Sequence, residues 1–472
     1  MRITAVDPAP FQSHTRLKWG DRGILVIRSS LESPPDDGRG AAVVEHATQR
    51  PALARLKELA DTDTGQAVSM AVAVMGQNLL GLAFTIAFAR ILGKDGYGSL
   101  AALVAAFLIL SIPGTALQVT VAREVSGALA VGEAARGAAI RSWMRHLAYG
   151  AAGVTVLSIL LRAPIASVIG VDTKWAAGAV LPTGALWLVL CVQRGVLQGF
   201  QRYRLVGASL VGEAASRLIF GLILVALGLD VAGAYLGTTA SIAAMSVLLG
   251  LALHSELDTA PAGAKPPPGE RLRDLAARAW APLLALALIA VLQNIDVIVV
   301  KHRVSDDAAS AYAAAVVAAK AMIWIAMGLG MYLLPETASR AGQGRDARPI
   351  LTRTLGVIAA AAIPILLVFA LGGHLLLDKV FGKDFALADT ALPILGAAMA
   401  LLAVTYLCVQ YLLAMHRSRF ITLLAIGAAL DPLLLILAGT KLTSIALVLL
   451  ALQLVLAAAL LSVAYRARPE PV

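Results

Sequence analysis

A few ionisable residues stand inside the long apolar stretches of this 472-residue chain, and their types suit holding a charged ligand. Glu213 and Arg217 are four apart, so on a helix they share a face and can touch. A guanidinium that faces a polar cavity can fork onto the oxygens of an anion while the carboxylate holds it in place. The same two residues can equally be a self-neutralising structural pair. Lys320 has no acid within its own turns, which leaves it either a cavity role or a pairing with Asp431, at similar depth in another apolar run. Asp296 lies about five residues, or roughly 7 to 8 Å at helical rise, from the end of its run. It can pair with Lys301 or a neighbouring loop, or bind a coupling ion.

A charge at the centre of a bilayer costs at least about 2.5 to 3.5 kcal/mol on insertion scales, so each of these residues is a functional candidate. Counted together, the two cations Arg217 and Lys320 and the two acids Glu213 and Asp431 cancel, and a strongly cationic cavity does not follow from sequence. Arg90 ends the first apolar run and can snorkel to headgroups. Arg123 with Glu124, and Glu336 with Arg340, sit at the ends of two matching runs. Salt bridges that close a gate between halves and local solvated pairs both suit that placement.

Other chemistries find no support. Cys191 and Cys408 lie in apolar runs and read as small hydrophobes, so neither a disulfide framework nor a metal set is expected. The two Gly-Lys sites, ILGKDG and VFGKDF, lack the spaced first Gly and the following Ser or Thr of a phosphate-binding loop. No catalytic residue, metal or cofactor is expected.

The elements that must position these residues follow from composition. Hydrophobic residues make up 59% of the chain and charged residues 14%, with a mean hydropathy of +0.80. A soluble domain is about 45 to 50% apolar, so the surplus here has no polar shell to sit behind and the solvent must be lipid. A helix needs roughly 20 apolar residues to span the bilayer core. About twelve such runs occur, at 67–92, 99–122, 143–170, 175–198, 205–228, 231–254, 279–300, 308–335, 350–376, 386–414, 420–438 and 442–464. Arg162 and Pro164 place the last turns of the third run at the interface. The reading is an all-α polytopic membrane protein with about twelve transmembrane helices in two parallel six-helix lobes around a central cavity.

If the N-terminus is cytoplasmic, nineteen Lys and Arg fall on the cytoplasmic face, Arg194 counted among them, and eight on the other. The positive-inside rule therefore predicts both termini to be cytoplasmic. The net charge of +10 is then explained without nucleic acid. Residues 1–65 are polar and mixed in charge, with no basic start running into a cleavable apolar core, so they are expected to be a disordered cytoplasmic extension rather than a secretory signal. Residues 66–254 form the first lobe, 255–278 a cytoplasmic linker carrying Pro266-Pro267-Pro268, 279–465 the second lobe, and 466–472 a cytoplasmic tail.

A repeat supports that division. ARILGKDGYGSLAAL at 89–103 aligns with KHRVSDDAASAYAAA at 301–315, an offset of 212, which also places Glu124 on Glu336 and Arg90 on His302. The last pairing points to a shared gating position. Six spans per half give both halves the same topology, related by an axis along the membrane normal, with a solute path between them.

ARILGKDGYGSLAAL, RGVLQGFQRYR, GEAASRL, QNIDVIVVKH and DDAASAYAAA together resemble the polysaccharide and oligosaccharide flippases of the multidrug/oligosaccharidyl-lipid/polysaccharide exporter superfamily, over roughly residues 66 to 465. The resemblance implies a V-shaped pair of lobes that alternates between inward-open and outward-open states. It implies a lipid-linked glycan substrate, a polyprenyl-diphosphate-linked oligosaccharide, moved from the inner to the outer leaflet of a bacterial plasma membrane. Membrane lipids, and polymerase or glycosyltransferase proteins, are the implied partners, and a monomer is the default. No extra helices follow Tyr465, unlike the peptidoglycan-precursor flippases. A proton- or sodium-coupled drug exporter of the same superfamily is the alternative, kept open by Asp296 and Asp431. A membrane glycosyltransferase, polymerase or ligase is disfavoured because the outer loops are short.

Overall fold

In lipid every backbone N–H and C=O must be paired inside its own segment, and the apolar, Ala- and Leu-rich runs meet that demand as helices. The computed structural model describes residues 63–127, 133–257 and 280–467, and among these it is helical throughout, with no strand. The expected extension, the linker and the last residues of the tail lie almost wholly outside the described residues.

The first half contains α1 (Asp63–Gly127), α2 (Glu133–Leu160), α3 (Arg162–Ile169), α4 (Lys174–Gly199), α5 (Tyr203–Leu224) and α6 (Asp230–Leu257). The second contains α7 (Trp280–Arg303), α8 (Asp306–Ala319), α9 (Ala321–Gly342), α10 (Arg348–Val380), α11 (Leu392–Ala414), α12 (Phe420–Leu437) and α13 (Leu442–Arg466). Among the described residues nine helices are long and apolar enough to cross a membrane, or ten if the pair α2 and α3, bent by 77°, is one crossing. Two of the nine, at Val72–Ser126 and Tyr203–His254, run to 55 and 52 residues. A straight helix of that many residues would be about 80 Å long at 1.5 Å per residue, more than twice the hydrocarbon core.

Local backbone explains the breaks. Gly93 interrupts α1 with φ 61 and ψ −162, a conformation glycine adopts without a Cβ penalty. Between α5 and α6 a short π-helical turn, Val225–Leu229, holds Gly228 at φ 86. The expected third run turns at Leu161, with Pro164 in the first turn of α3, where a missing N–H costs no helical bond. The expected eighth run is divided at Lys320 into α8 and α9. Ser305 caps α8 by accepting from the Ala308 N–H, and Asp306 and Asp307 stand in its first turn, where acids favour a helix N-terminus.

Buried apolar side chains form two clusters. One holds residues of the first half from Phe84 to Leu253. The other holds the second half from Ala285 to Ala464 and takes in Ala89, Tyr97 and Ala105 of α1, on either side of Gly93.

Candidate functional site

In the first half, α5 places Glu213 and Arg217 on one face, with Arg217 Nε 3.9 Å from Glu213 Oε1. Glu213 is 1% exposed, whereas the Arg217 side chain keeps 19% of its surface accessible. Its guanidinium carbon lies 5.3 Å from the centre of the Phe84 ring on α1. A Cβ on Gly81 would stand 3.8 Å from an Arg217 terminal nitrogen, so α1 leaves room at that point. Arg217 Nε has no hydrogen-bond partner among the described residues.

A third charge completes this group. Arg194, counted with the loop cations from sequence, lies in α4 and is 1% exposed. Its Nε donates to Ser209 Oγ and a terminal nitrogen to Ser209 O, both at 2.9 Å. The Trp187 ring lies 5.5 Å from its guanidinium carbon, and Glu213 is the acid whose charge it feels. The group therefore holds two cations and one acid. Sequence missed Arg194 because it stands one turn from the end of its run. The available signal was that the run, 175–198, already enclosed it.

In the second half Asp296 and Asp431 are both 0% exposed. Tyr312 donates to Asp296 Oδ2 at 3.0 Å. Lys320 Nζ donates to Asn294 Oδ1 at 2.8 Å, and Asp296 is the acid whose charge bears on Lys320. Asp296 Oδ1 and both Asp431 oxygens have no hydrogen-bond partner among the described residues. Two sequence expectations are thereby corrected. Lys320 makes no ion pair with Asp431. Asp296 does not pair with Lys301, because five residues of helix turn the two onto different faces. Lys301 pairs instead with Asp306, just past the end of α7.

The two halves are joined at the end that carries Lys94. Lys94 Nζ pairs with Asp307 Oδ2 at 2.8 Å. That partner raises the lysine pKa above its ordinary value. The Gly98 N–H donates to Ser310 Oγ at 2.7 Å, and the Ser310 hydroxyl donates to Lys94 O. A Cβ on Gly98 would meet Ser310 Oγ at 2.9 Å, so only glycine permits this approach. Tyr97 meets Phe385 edge-on at 5.6 Å between ring centres.

These contacts obey the repeat. Gly98 and Ser310 are 212 apart, so two repeat mates touch each other, as they do beside a twofold axis. Arg90 donates to Val380 O at 3.0 Å and to Lys379 O at 2.5 Å. Its mate His302 donates from Nε2 to Val168 O at 2.8 Å, and Val168 and Val380 are again 212 apart. Each half thus sends the end of its first long helix to a backbone carbonyl of the other. Arg90 does not simply snorkel, as sequence alone favoured.

The arginine-rich end is different. Glu336 and Arg340 pair at 3.1 Å within α9. Neither Arg123 nor Glu124 makes an ion pair among the described residues. Among the described residues no ion pair joins Arg123 or Glu124 to Glu336 or Arg340, and the Glu336–Arg340 contact is the local pair that the sequence offered as the alternative to a bridge between halves.

The family model for polysaccharide biosynthesis proteins matches residues 65–339. The chain belongs to this polysaccharide biosynthesis protein family. No curated protein matches the sequence significantly. The chain has the fold of a multidrug resistance MATE family transporter of the MOP superfamily in an inward-facing conformation, at TM-score 0.71 and 13% identity over 85% of this chain and 97% of that one. It is similar to the lipid II flippase MurJ in an inward closed conformation, at TM-score 0.67 and 13% identity, covering 84% and 87%. An outward-facing MATE family transporter superposes at TM-score 0.53 with 15% identity, covering 84% and 93%. The chain is thus a multi-pass membrane protein with the fold of these transporters. Its first-half group can offer guanidinium donors to an anion, and its second-half group can offer carboxylate oxygens to a proton or cation.

Proposed function

We propose that this protein carries a polyprenyl-diphosphate-linked oligosaccharide, a precursor of cell-surface polysaccharide, from the inner to the outer leaflet of the bacterial plasma membrane by alternating access. Twelve crossings in two six-helix lobes belong to this reading, with the breaks at Gly93 and Gly228 dividing the two longest helices. Both termini are cytoplasmic, and the arginine-rich end faces the cytoplasm. The observation that carries the proposal is Arg217. It is the partly accessible member of a buried group of two cations and one acid, and its Nε has an ion-pair neighbour in Glu213 but no hydrogen-bond partner among the described residues. A forked guanidinium matches diphosphate oxygens, and Glu213 fixes its position from the same helix face.

The contacts at Lys94, Gly98, Arg90 and His302 serve as the outer gate, closed here, and Arg123, Glu124, Glu336 and Arg340 stand at the inner end. Outward movement of a diphosphate with about two negative charges across an inside-negative membrane releases about 2.3 kcal/mol per charge per 100 mV. Membrane potential and downstream use of the cargo then suffice to drive transport. Proteoliposomes carrying a fluorescent polyprenyl-diphosphate sugar test this. Net transfer should follow an imposed potential; transfer that is absent, or insensitive to the potential, contradicts the proposal.

A second reading, a proton- or sodium-coupled exporter of drugs or metabolites, is favoured by Asp431. Buried carboxylate oxygens with no donor are tolerated when a proton or cation joins them. Comparing drug susceptibility with surface glycan in a deletion strain separates the two. Loss of glycan with unchanged susceptibility supports the flippase.

A further inference from the structure

A pocket of about 400 Å³ opens where α3 passes into α4, lined by Arg162, Asp172, Thr173, Lys174, Trp175 and Ala232. It lies apart from both buried charge groups. α4 has 26 residues and so reaches about 39 Å, enough to put its two ends at the two membrane interfaces. Lys174 and Trp175 therefore stand at the level of lipid phosphates. Leu160, Leu161 and Val168 on α2 and α3 are exposed around this corner, an apolar rim that suits the boundary between acyl chains and headgroups rather than water.

The side chains are arranged for an anion. The Arg162 guanidinium carbon stacks 4.6 Å from the centre of the Trp175 ring. Among the described residues only one hydrogen bond, to Ile159 O at 3.4 Å, occupies any of its five N–H donors. Lys174 makes no ion pair among the described residues. Among the described residues Thr173 Oγ1 has no hydrogen-bond partner, so the Thr173 side chain does not cap the first turn of α4. Asp172 is the single opposing charge on the wall.

We propose that this pocket binds the phosphate of a membrane-lipid headgroup, with Arg162 and Lys174 as its donors and Trp175 as the platform that holds Arg162. The phosphate can belong to a resident anionic phospholipid or to the diphosphate of a lipid-linked cargo that has reached this leaflet. Only the second source rests on the proposed function.

Native mass spectrometry of the detergent-solubilised full chain tests the proposal with phosphatidylglycerol, polyprenyl diphosphate, inorganic phosphate and a phosphate-free glycosyl diacylglycerol. A phosphate-bearing lipid should bind at least about fivefold more tightly than the glycolipid, the factor expected for one basic group at a membrane surface. Arg162→Gln with Lys174→Gln should remove that preference and leave glycolipid binding unchanged. Asp172→Asn should strengthen phosphate-lipid binding by several fold, which loss of folding cannot mimic. Preference for phosphatidylglycerol assigns the resident source, and preference for polyprenyl diphosphate assigns the cargo. The proposal is overturned if the preference survives the double substitution, if Asp172→Asn leaves it unchanged, or if inorganic phosphate alone binds.

Discussion

The two halves share a fold, an offset and a set of gate contacts, but their interiors carry opposite formal charge. The first half buries two cations around one acid, Arg194 and Arg217 with Glu213. The second buries two acids, Asp296 and Asp431, with one cation, Lys320. Glu213 has the Arg217 guanidinium 3.9 Å from Oε1, whereas neither Asp431 oxygen has a hydrogen-bond donor among the described residues. A duplicated scaffold has therefore been given two chemistries. The first half suits an anion, and the second suits a proton or small cation.

The comparison breaks most visibly at Glu213. Glu213→Gln leaves Arg194 buried without a counter-charge, an imbalance that costs about 3 to 5 kcal/mol when a buried pair loses one partner. A large fall in melting temperature of the purified protein is expected. Asp431→Asn should be neutral or stabilising within about 1 kcal/mol in the same measurement, because it removes a charge that has no donor to lose. Equal destabilisation by the two substitutions would erase the contrast.

Transport sharpens the comparison next. Arg217→Ala should lower transfer of a lipid-linked sugar at least about tenfold, the loss expected when one charge-assisted hydrogen-bonding group is removed, and should lower the melting temperature as well because it leaves buried Glu213 without its ion-pair partner. The smallest effect belongs to the shared gate. Lys94 and Asp307 are each more than two-fifths exposed, so Asp307→Asn should leave the fold intact and shift the Lys94 end toward opening. Cross-linking of cysteines placed across that end should fall modestly. The Lys94 pKa is raised by Asp307, so the pair's contribution is fully present below the ordinary lysine pKa. Cross-linking in the unsubstituted pair should therefore stay constant through neutral pH and weaken only as strongly alkaline pH passes the raised value.

Much of this was legible from sequence because lipid imposes one solution on an apolar run. The crossings, the offset of 212 and the four-residue spacing of Glu213 and Arg217 are local or periodic features, and composition and spacing report them directly. Partners brought together from distant runs were not legible. Tyr312 reaches Asp296 from 16 residues away and Arg90 reaches Val380 from 290. Arg194 was read as a loop charge because cations gather at helix ends, and only Ser209 on α5 shows it to be inside. The repeat linked Arg90 to His302 but could not name their acceptors, since a backbone carbonyl leaves no mark on residue type.

The central claim is that the anionic cargo is held by the first half rather than the second. The most direct measurement compares binding of a polyprenyl-diphosphate sugar to Arg217→Ala and Lys320→Ala proteins in detergent. The account predicts about tenfold weaker binding for Arg217→Ala and less than about threefold for Lys320→Ala. Equal losses, or a larger loss at Lys320, would contradict it.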